Sequence, residues 1–277
     1  MSTAPHLTPW PWGPFQPGDG EPVEWRAGDL GLWCLREGAE IRLGSRLLTG
    51  AASDDTLPRA IGWERFSVQG AEQGLQMHPV LPARAFVARC ESVIQLRPHS
   101  ELTLYVRLPL WVSVRLASEE SSALTELPTT TLRRSWYGSF TAGELCYAIH
   151  TSARTRPEPD PARPYLALCP VRISNSTETE LRLERILLQA PLLGLYLHHD
   201  QLWTDELVLG SLGSSGDCEQ VLGGGAPAEV REARLISPPR QVAGGSLLGR
   251  AMLSLREFPE VFKTRRGHVG GGTGGAA

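Results

Sequence analysis

The stretch ELTLYVRLPLWVSVRL, residues 101–116, alternates between aliphatic and other side chains along its whole length. Every even position from Leu102 to Leu116 carries leucine or valine. Successive side chains on a strand point to opposite faces, so this two-residue period predicts a half-buried β-strand and argues against an amphipathic helix. Pro109 interrupts the run. Because proline cannot donate a ladder hydrogen bond, we predict two strands that meet at a bend.

Short apolar runs continue on both sides of this stretch, and clusters of glycine, proline, aspartate and serine separate them. Such a succession of short strands and turns is typical of β-sandwiches and barrels. The sequence therefore predicts an all-β protein, an antiparallel β-sandwich architecture of two packed β subdomains with little helix. The best helix candidate is Leu247–Arg256.

Two local patterns refine this prediction. Along residues 181–188, LRLERILL, the apolar positions slip from odd to even numbers, which predicts a β-bulge or a strand that passes from one sheet to another. Residues 210–216, GSLGSSG, lack the spacing of a nucleophile elbow or a phosphate-binding loop. We interpret these seven residues as a flexible connection.

Changes in composition divide the chain into four predicted segments. Residues 1–19 are rich in proline and tryptophan, and we expect them to lie extended over a surface with their aromatic rings docked. Residues 20–118 are predicted to form a β-sandwich subdomain, and residues 123–262 a second β-rich subdomain. Residues 263–277 are predicted to be a disordered, glycine-rich tail.

The charges are balanced, since 27 basic and 30 acidic residues give a net charge of −3 and the basic residues form no block along the sequence. This balance argues against nucleic acid or an anionic membrane as a partner. The apolar stretch Ile186–Leu197 is shorter than the roughly 20 residues of a spanning helix, so we predict no direct membrane insertion. The first residues lack the pattern of a secretory signal, and we expect a cytoplasmic protein.

The five cysteines are odd in number, widely spaced and without a CxxC pair. This pattern argues against both a zinc site and a disulfide framework. Cys34, Cys146 and Cys169 fall within apolar, strand-like runs, where a free cysteine is usually a small core residue. We therefore predict no metal site and no cofactor.

The adjacent histidines His198 and His199 are the most conspicuous candidate ligands. Neighbouring residues on a strand face opposite ways, so we interpret this pair as the polar tip of a hairpin. The alternative is a metal-dependent enzyme that uses His198 and His199. Such a site would have to recruit a further ligand, for example His150, Cys146 or a carboxylate.

A second alternative is a carbohydrate-binding or carbohydrate-active β-sandwich protein. A glycosidase needs two carboxylates across a cleft, and Trp111 could form a sugar-stacking platform because it lies opposite the aliphatic face. The candidate acidic pairs are Asp54-Asp55, Glu119-Glu120 and Asp205-Glu206. All three lie in polar surroundings, where solvated loops are the simpler interpretation, and no catalytic residue is predicted.

Three passages share a recognisable order of features: VRLPLWVSVRL at 106–116, RRSWYGSFTAGELCYAIHTS at 133–152, and PVRISNSTETELRLERILL at 170–188. They combine an aliphatic strand broken by proline, a Tyr-Gly turn that leads to a further strand, and a Val/Ile-rich strand that ends at Asn-Ser. Together they resemble an uncharacterised prokaryotic family, domain of unknown function 432. Tyr137 and Gly138 match the turn of that pattern.

The resemblance implies a β-rich protein of unestablished function, associated with genes for small-conductance mechanosensitive channels. The family has no assigned catalytic residue to transfer. With no catalytic constellation in the sequence, we favour a non-enzymatic β-rich binding or assembly module. Its predicted partner is another protein, either a channel or a second copy of this chain. The candidate binding residues are Tyr105, Trp111 and Tyr137.

Overall fold

The structure, a computed structural model, describes residues 10–48, 61–68, 74–117, 122–138, 140–141, 143–212 and 217–242. The strands are β1 (Gly13–Phe15), β2 (Gly18–Asp19), β3 (Val23–Ala27), β4 (Leu30–Glu37), β5 (Glu40–Leu47), β6 (Trp63–Ser67), β7 (Leu75–Val80), β8 (Phe86–Leu96), β9 (Ser100–Pro109), β10 (Trp111–Leu116), β11 (Ala123–Pro128), β12 (Arg133–Tyr137), β13 (Glu144–Thr151), β14 (Leu166–Asn175), β15 (Leu181–Leu188), β16 (Leu195–His198), β17 (Gln201–Thr204), β18 (Leu207–Leu212), β19 (Asp217–Leu222) and β20 (Arg234–Ser237). Helix in this part of the chain is limited to two short 3₁₀ turns, Ala190–Leu192 and Ala228–Val230. The all-β prediction is confirmed.

The strands form four sheets. Sheet 1 has the order β2-β4-β5-β6, with β3 also paired to β4, and sheet 2 has the order β1-β7-β10-β11. Sheet 3 has the order β12-β13-β8-β15, and sheet 4 has the order β19-β18-β14-β17-β16-β20, with β9 paired to β14. Most neighbours are antiparallel, as predicted, but β2 runs parallel to β4, β13 runs parallel to β8, and β14 runs parallel to both β17 and β18.

The predicted bend at Pro109 is confirmed, and it separates two sheets. β9 ends at Pro109 and pairs with β14 in sheet 4, whereas β10 pairs with β7 and β11 in sheet 2. Leu110 between them keeps its backbone bonded, because its N–H donates to the Tyr165 carbonyl (3.0 Å) and its carbonyl accepts from the Thr129 N–H (3.2 Å). The even positions from Leu104 to Val114 are at most 1 % exposed, as the alternation predicts.

A single apolar core connects the four sheets. It contains Leu32 from sheet 1, Met77 from sheet 2, Phe86 from sheet 3 and Val171 from sheet 4, all of them fully buried. Sheets 2, 3 and 4 also combine strands from before and after residues 118–123. The division into subdomains at residues 20–118 and 123–262 stays a prediction.

The N-terminal segment lies at sheet edges, with the rings of Trp12 and Phe15 packed against the core and Trp10 exposed. β1 is the edge strand of sheet 2, paired with β7. Trp12 is buried and its indole N–H donates to the Pro164 carbonyl (3.0 Å). Its ring centroid lies 5.9 Å from that of Trp25, whose N–H donates to the Pro11 carbonyl (2.7 Å).

The predicted irregularity along residues 181–188 is present as a register shift between Leu183 and Arg185 in the pairing of β15 with β8. For residues 210–216, predicted to be a flexible connection, the structure differs at the first three positions, and residues 213–216 lie outside the described residues. Residues 210–212 continue strand β18, which pairs antiparallel with β19. The predicted helix Leu247–Arg256 and the glycine-rich tail lie outside the described residues. Across the described ranges, no helix combines the length and apolar character that a membrane crossing would require.

Candidate functional site: an arginine-lined cleft

A cleft of about 770 Å³ lies where sheets 3 and 4 meet. Strand β9 contributes one wall and strand β13 another, while residues 130–133 and the loop after β13 close the remaining sides. The charged side chains that line it are Arg107, Arg133, Arg154, Arg163 and Glu91, together with His150. We refer to this feature as the arginine cleft.

The alternation of β9 explains why polar side chains reach the cleft from a strand whose other face belongs to the core. Tyr105 and Arg107 occupy odd positions, opposite the buried Leu104 and Val106. The chain then returns to the same strand beyond β13, where the Tyr105 N–H donates to the Arg154 carbonyl (2.8 Å). This backbone bond holds Arg154 beside the cleft.

Neighbouring oxygen atoms orient three of the arginines. Arg107 Nη2 donates to the Glu158 carbonyl (2.9 Å) and lies 3.8 Å from an Asp160 carboxylate oxygen. Arg163 Nε donates to the same carboxylate (2.6 Å), and Arg154 pairs with the Glu158 carboxylate. These contacts leave the guanidinium groups fixed at the wall of the cleft, which lowers the entropic cost of binding a ligand there.

The lining of the cleft is electropositive. Four arginines face one glutamate there, although the whole chain carries a net charge of −3. Burial lowers the pKa of Arg107, and the positive charges of Arg163 and Arg154 lower it further, against the opposing effect of Asp160. Arg133 is exposed and makes no ion pair or side-chain hydrogen bond within the described residues. When the Glu158 and Asp160 carboxylates that contact three of these arginines are counted with Glu91, four arginines face three carboxylates. An anion in the cleft would therefore meet an excess of one positive charge.

Thr130 adds a polar atom to the same cleft. Its Oγ1 is buried, yet within the described part of the chain it has no hydrogen-bond partner. A buried hydroxyl left without a partner costs about 1–3 kcal/mol. A ligand oxygen in the cleft could accept its proton and recover that cost.

Tyr105 is the candidate binding residue that lies in the cleft wall. Its hydroxyl donates to Glu229 Oε1 (2.5 Å), and its ring meets Trp203 edge-on with centroids 6.4 Å apart. Burial raises the pKa of Tyr105, and the hydrogen bond to Glu229 raises it further. The phenol therefore stays protonated and serves to hold the wall in place.

Trp111 and Tyr137 lie away from the cleft lining. The Trp111 ring centroid is 6.0 Å from that of Tyr147, and its Nε1 is buried without a partner in the described ranges. Tyr137 packs against a small apolar cluster that includes Cys146 and Leu187. The structure thus does not bring the three candidate residues together, and their roles in binding stay predictions.

The two adjacent histidines form the hairpin tip that the sequence suggests. β16 and β17 pair antiparallel up to His198 and Gln201, and His199 has a positive φ of 51° in the turn. The two imidazole centroids are 4.2 Å apart. A search of the described residues finds no group of three or more His, Cys, Asp or Glu side chains placed to hold a metal ion.

Both carboxylates of the acidic pair Asp205-Glu206 have partners within the protein. Asp205 is 4 % exposed, and its carboxylate accepts the Gly194 N–H and the Tyr196 hydroxyl (3.2 Å). Burial raises the pKa of Asp205 against the effect of these bonds. Glu206 pairs with Arg172 at 2.7 Å. The pairs Asp54-Asp55 and Glu119-Glu120 lie outside the described residues.

Four free cysteines are buried, as predicted for those at positions 34, 146 and 169. Burial raises the pKa of each of these three thiols to about 12. A thiol with such a pKa is protonated at neutral pH and is a poor nucleophile and a poor metal ligand. These residues therefore act as core side chains.

A second, smaller cavity of about 340 Å³ contains a Ser–His contact that the sequence did not suggest. Ser237 Oγ lies 2.8 Å from His78 Nε2 and donates to the Pro79 carbonyl (2.6 Å). Burial lowers the pKa of His78, and the nearby Arg115 lowers it further. Since the Ser237 proton is held by a carbonyl oxygen, this contact ties β20 to β7.

The sequence carried a partial signal for the arginine cleft. The odd positions of β9 already placed Tyr105 and Arg107 on one face, and the proline-rich run at 154–164 contains three arginines. Sequence reasoning missed Arg133 and Thr130, because their place beside β9 depends on contacts between distant strands.

These observations define an all-β protein with an electropositive cleft between two sheets. A sequence model of the family described as "Protein of unknown function (DUF432)" matches residues 11–256, which is most of the chain. The chain belongs to this family, and the resemblance seen in the sequence is confirmed. No curated protein and no solved structure matches the chain.

Proposed function

We propose that this protein is a non-enzymatic binding module and that the arginine cleft takes an anionic ligand. The observation that carries the proposal is the gathering of four arginines in the lining of one cleft, in a chain that is acidic as a whole. Glu158 and Asp160 contact three of them, and Arg133 has no ion pair within the described residues. Arginine presents a planar fork of donors that fits carboxylate and phosphate oxygens in pairs. An anionic group is therefore the ligand chemistry that this lining recognises best.

The cleft combines arginines that are held in place with one that can move towards a ligand. Arg107 and Arg163 are held by oxygens of the loop after β13, whereas Arg133 has no such anchor in the described residues. Arg133 can therefore turn towards a ligand while the other two keep their positions. The Thr130 hydroxyl supplies a further donor on the same side.

A binding role accounts for the titratable groups better than catalysis does. A general acid or base works best with a pKa near the operating pH. In the cleft wall the pKa of Tyr105 is raised by burial, and Arg107 remains a cation despite its lowered pKa. Both side chains therefore keep one charge state near neutral pH, which suits recognition of a ligand.

A protein partner, whether a channel subunit or a second copy of this chain, would reach the same cleft through an acidic or phosphorylated segment. The association with mechanosensitive channels rests on the family resemblance and forms part of the proposal. A cytoplasmic location also belongs to it. Four buried cysteines in the reduced form are compatible with a reducing compartment.

Isothermal titration calorimetry with citrate and with inorganic phosphate tests the proposal on the full chain. We expect both anions to bind the wild-type protein, and Arg133→Gln to weaken binding about tenfold, which corresponds to the loss of one charge-assisted hydrogen bond. Arg134→Gln is the matched control, since this neighbour is also exposed but points to the opposite face of β12. Absence of binding, or equal losses in both variants, would contradict the proposal.

A further inference from the structure

Sheet 3 carries a row of basic side chains directly opposite one another on its exposed face. Arg185 of β15 pairs in register with Arg89 of β8, and Arg89 pairs in register with His150 of β13. All three residues are exposed. We call these three residues the basic row.

The basic row is an unfavourable arrangement for the isolated protein. Adjacent strands lie about 4.8 Å apart, and like charges directly opposite one another destabilise a sheet. Arg89 has no ion pair or side-chain hydrogen bond in the described residues. On the same sheet Arg182 has an acidic neighbour, since its guanidinium lies 2.9 Å from Glu184. Arg89 thus lies in register with Arg185 on one side and with His150 on the other, and it has no ion pair of its own among the described residues.

The basic row and the arginine cleft share strand β13. His150 belongs to both, because it lines the cleft and faces Arg89 in the sheet. Two residues earlier on the same face, Ala148 pairs with Arg133 of the cleft. The row therefore continues the positive surface of the cleft outward across three strands.

We propose that the basic row is a second anion subsite and that the ligand carries at least two phosphate groups, one in the cleft and one on the row. This inference rests on the proposed function and deepens it. Phosphate is favoured over carboxylate because it carries nearly two negative charges and three acceptor oxygens. One such group can bridge two neighbouring basic side chains, whereas a single bidentate arginine occupies both oxygens of a carboxylate.

The same chemistry can come from a free polyphosphate or from the headgroup of a phosphorylated lipid. Calorimetry with inorganic tripolyphosphate measures the first source. Co-sedimentation with phosphatidylcholine vesicles, with and without phosphatidylinositol bisphosphate, measures the second. If the protein binds the vesicles and tripolyphosphate displaces it, the ligand is the lipid headgroup. If the protein binds tripolyphosphate but not the vesicles, the ligand is the free anion. Either result supports two subsites.

The decisive comparison uses tripolyphosphate and orthophosphate on the same variants. We expect tripolyphosphate to bind wild type at least about tenfold more tightly than orthophosphate, because it can reach both subsites. Arg89→Gln should remove that advantage and leave the affinity for orthophosphate in the cleft unchanged, while Arg133→Gln should weaken the binding of both anions there. Arg182→Gln, an exposed arginine of the same sheet outside the row, should change neither.

Two results would overturn the inference, and they differ in what they say of the cleft. If Arg89→Gln binds tripolyphosphate as wild type does while Arg133→Gln loses both anions, the row is not a subsite and the cleft remains one. If wild type binds neither anion, the proposed function fails and the row falls with it. Circular dichroism of each variant checks that the sheets are intact.

Discussion

The outer face of sheet 3 has two ends of opposite character on the same three strands. At one end an apolar cluster is buried, formed by Ala85, Val87, Cys146 and Leu187. At the other end lies the exposed basic row. Only one residue lies between Val87 and Arg89 on β8, and one lies between Arg185 and Leu187 on β15.

If the proposed subsite is correct, this contrast places a residue that stabilises the fold and a residue that binds the ligand two positions apart on one strand. Buried apolar side chains contribute to folding in proportion to the area they remove from water. The basic row contributes repulsion instead, which the rest of the fold has to outweigh. A substitution at the apolar end should therefore change folding, and one at the basic end should change binding.

The largest effect is expected at the apolar end. Leu187 is 3 % exposed, and Leu187→Ala should lower the free energy of unfolding by about 2–5 kcal/mol, because it removes buried methyl groups and leaves a cavity. Urea denaturation measures this loss. While the variant is still folded, its affinity for citrate should equal that of wild type. A loss below about 1 kcal/mol, or a change in affinity, would break the proposed separation of the two ends.

Thr130→Val tests a polar atom at the binding end. The substitution keeps the shape of the side chain and removes a buried hydroxyl that lacks a partner. We expect the free energy of unfolding to rise by about 1 kcal/mol while citrate affinity falls several-fold. The two measurements, urea denaturation and calorimetry, should move in opposite directions. A fall in both quantities would instead assign Thr130 a structural role.

Arg89→Gln sharpens the comparison at the basic row. Removal of the central charge should raise the free energy of unfolding by about 0.2–1 kcal/mol at low salt, since the Arg89 guanidinium lies opposite that of Arg185. The gain should shrink at 1 M salt, where charges are screened. Arg182→Gln provides the control of opposite sign, because it loses the pair with Glu184. Equal signs for the two variants would refute the repulsion argument.

A smaller effect is expected at His78 on β7, which is half-buried. Its pKa is lowered from 6.5 by burial and by Arg115, so the unfolded chain binds the proton more readily than the native protein. Stability should therefore fall as the pH drops below 6.5 towards the lowered native value. The pH dependence of the melting temperature should be flatter over this range in His78→Gln. An unchanged slope would show that His78 does not contribute.

Local pattern predicted the elements of this fold better than their assembly. The alternation at residues 101–116 gave the buried face of β9 and β10, and Pro109 gave the bend between them. The phase slip along residues 181–188 likewise predicted the shift between Leu183 and Arg185. Each of these features depends on the order of neighbouring side chains, which a single sequence displays.

The arginine cleft and the basic row could be predicted only in part. Tyr105 and Arg107 follow from the period of β9, but the opposition of Arg89 and His150 depends on a parallel pairing between distant strands. A shift of that pairing by one residue would place His150 on the other face. Sequence periodicity fixes which face a side chain occupies within its own strand and leaves its cross-strand neighbour open.

The parallel pairing of β8 also has a consequence for synthesis of the chain. β8 is flanked by β13 on one side and by β15 on the other, and both are encoded much later in the sequence. During translation the backbone of β8 therefore has neither neighbour until the ribosome has passed Thr151, and it lacks the second neighbour until Leu188 has been added. Such late, long-range closure is slow. A nascent or truncated chain that ends before β15 would present an open strand edge, and we expect it to depend on chaperones or to aggregate.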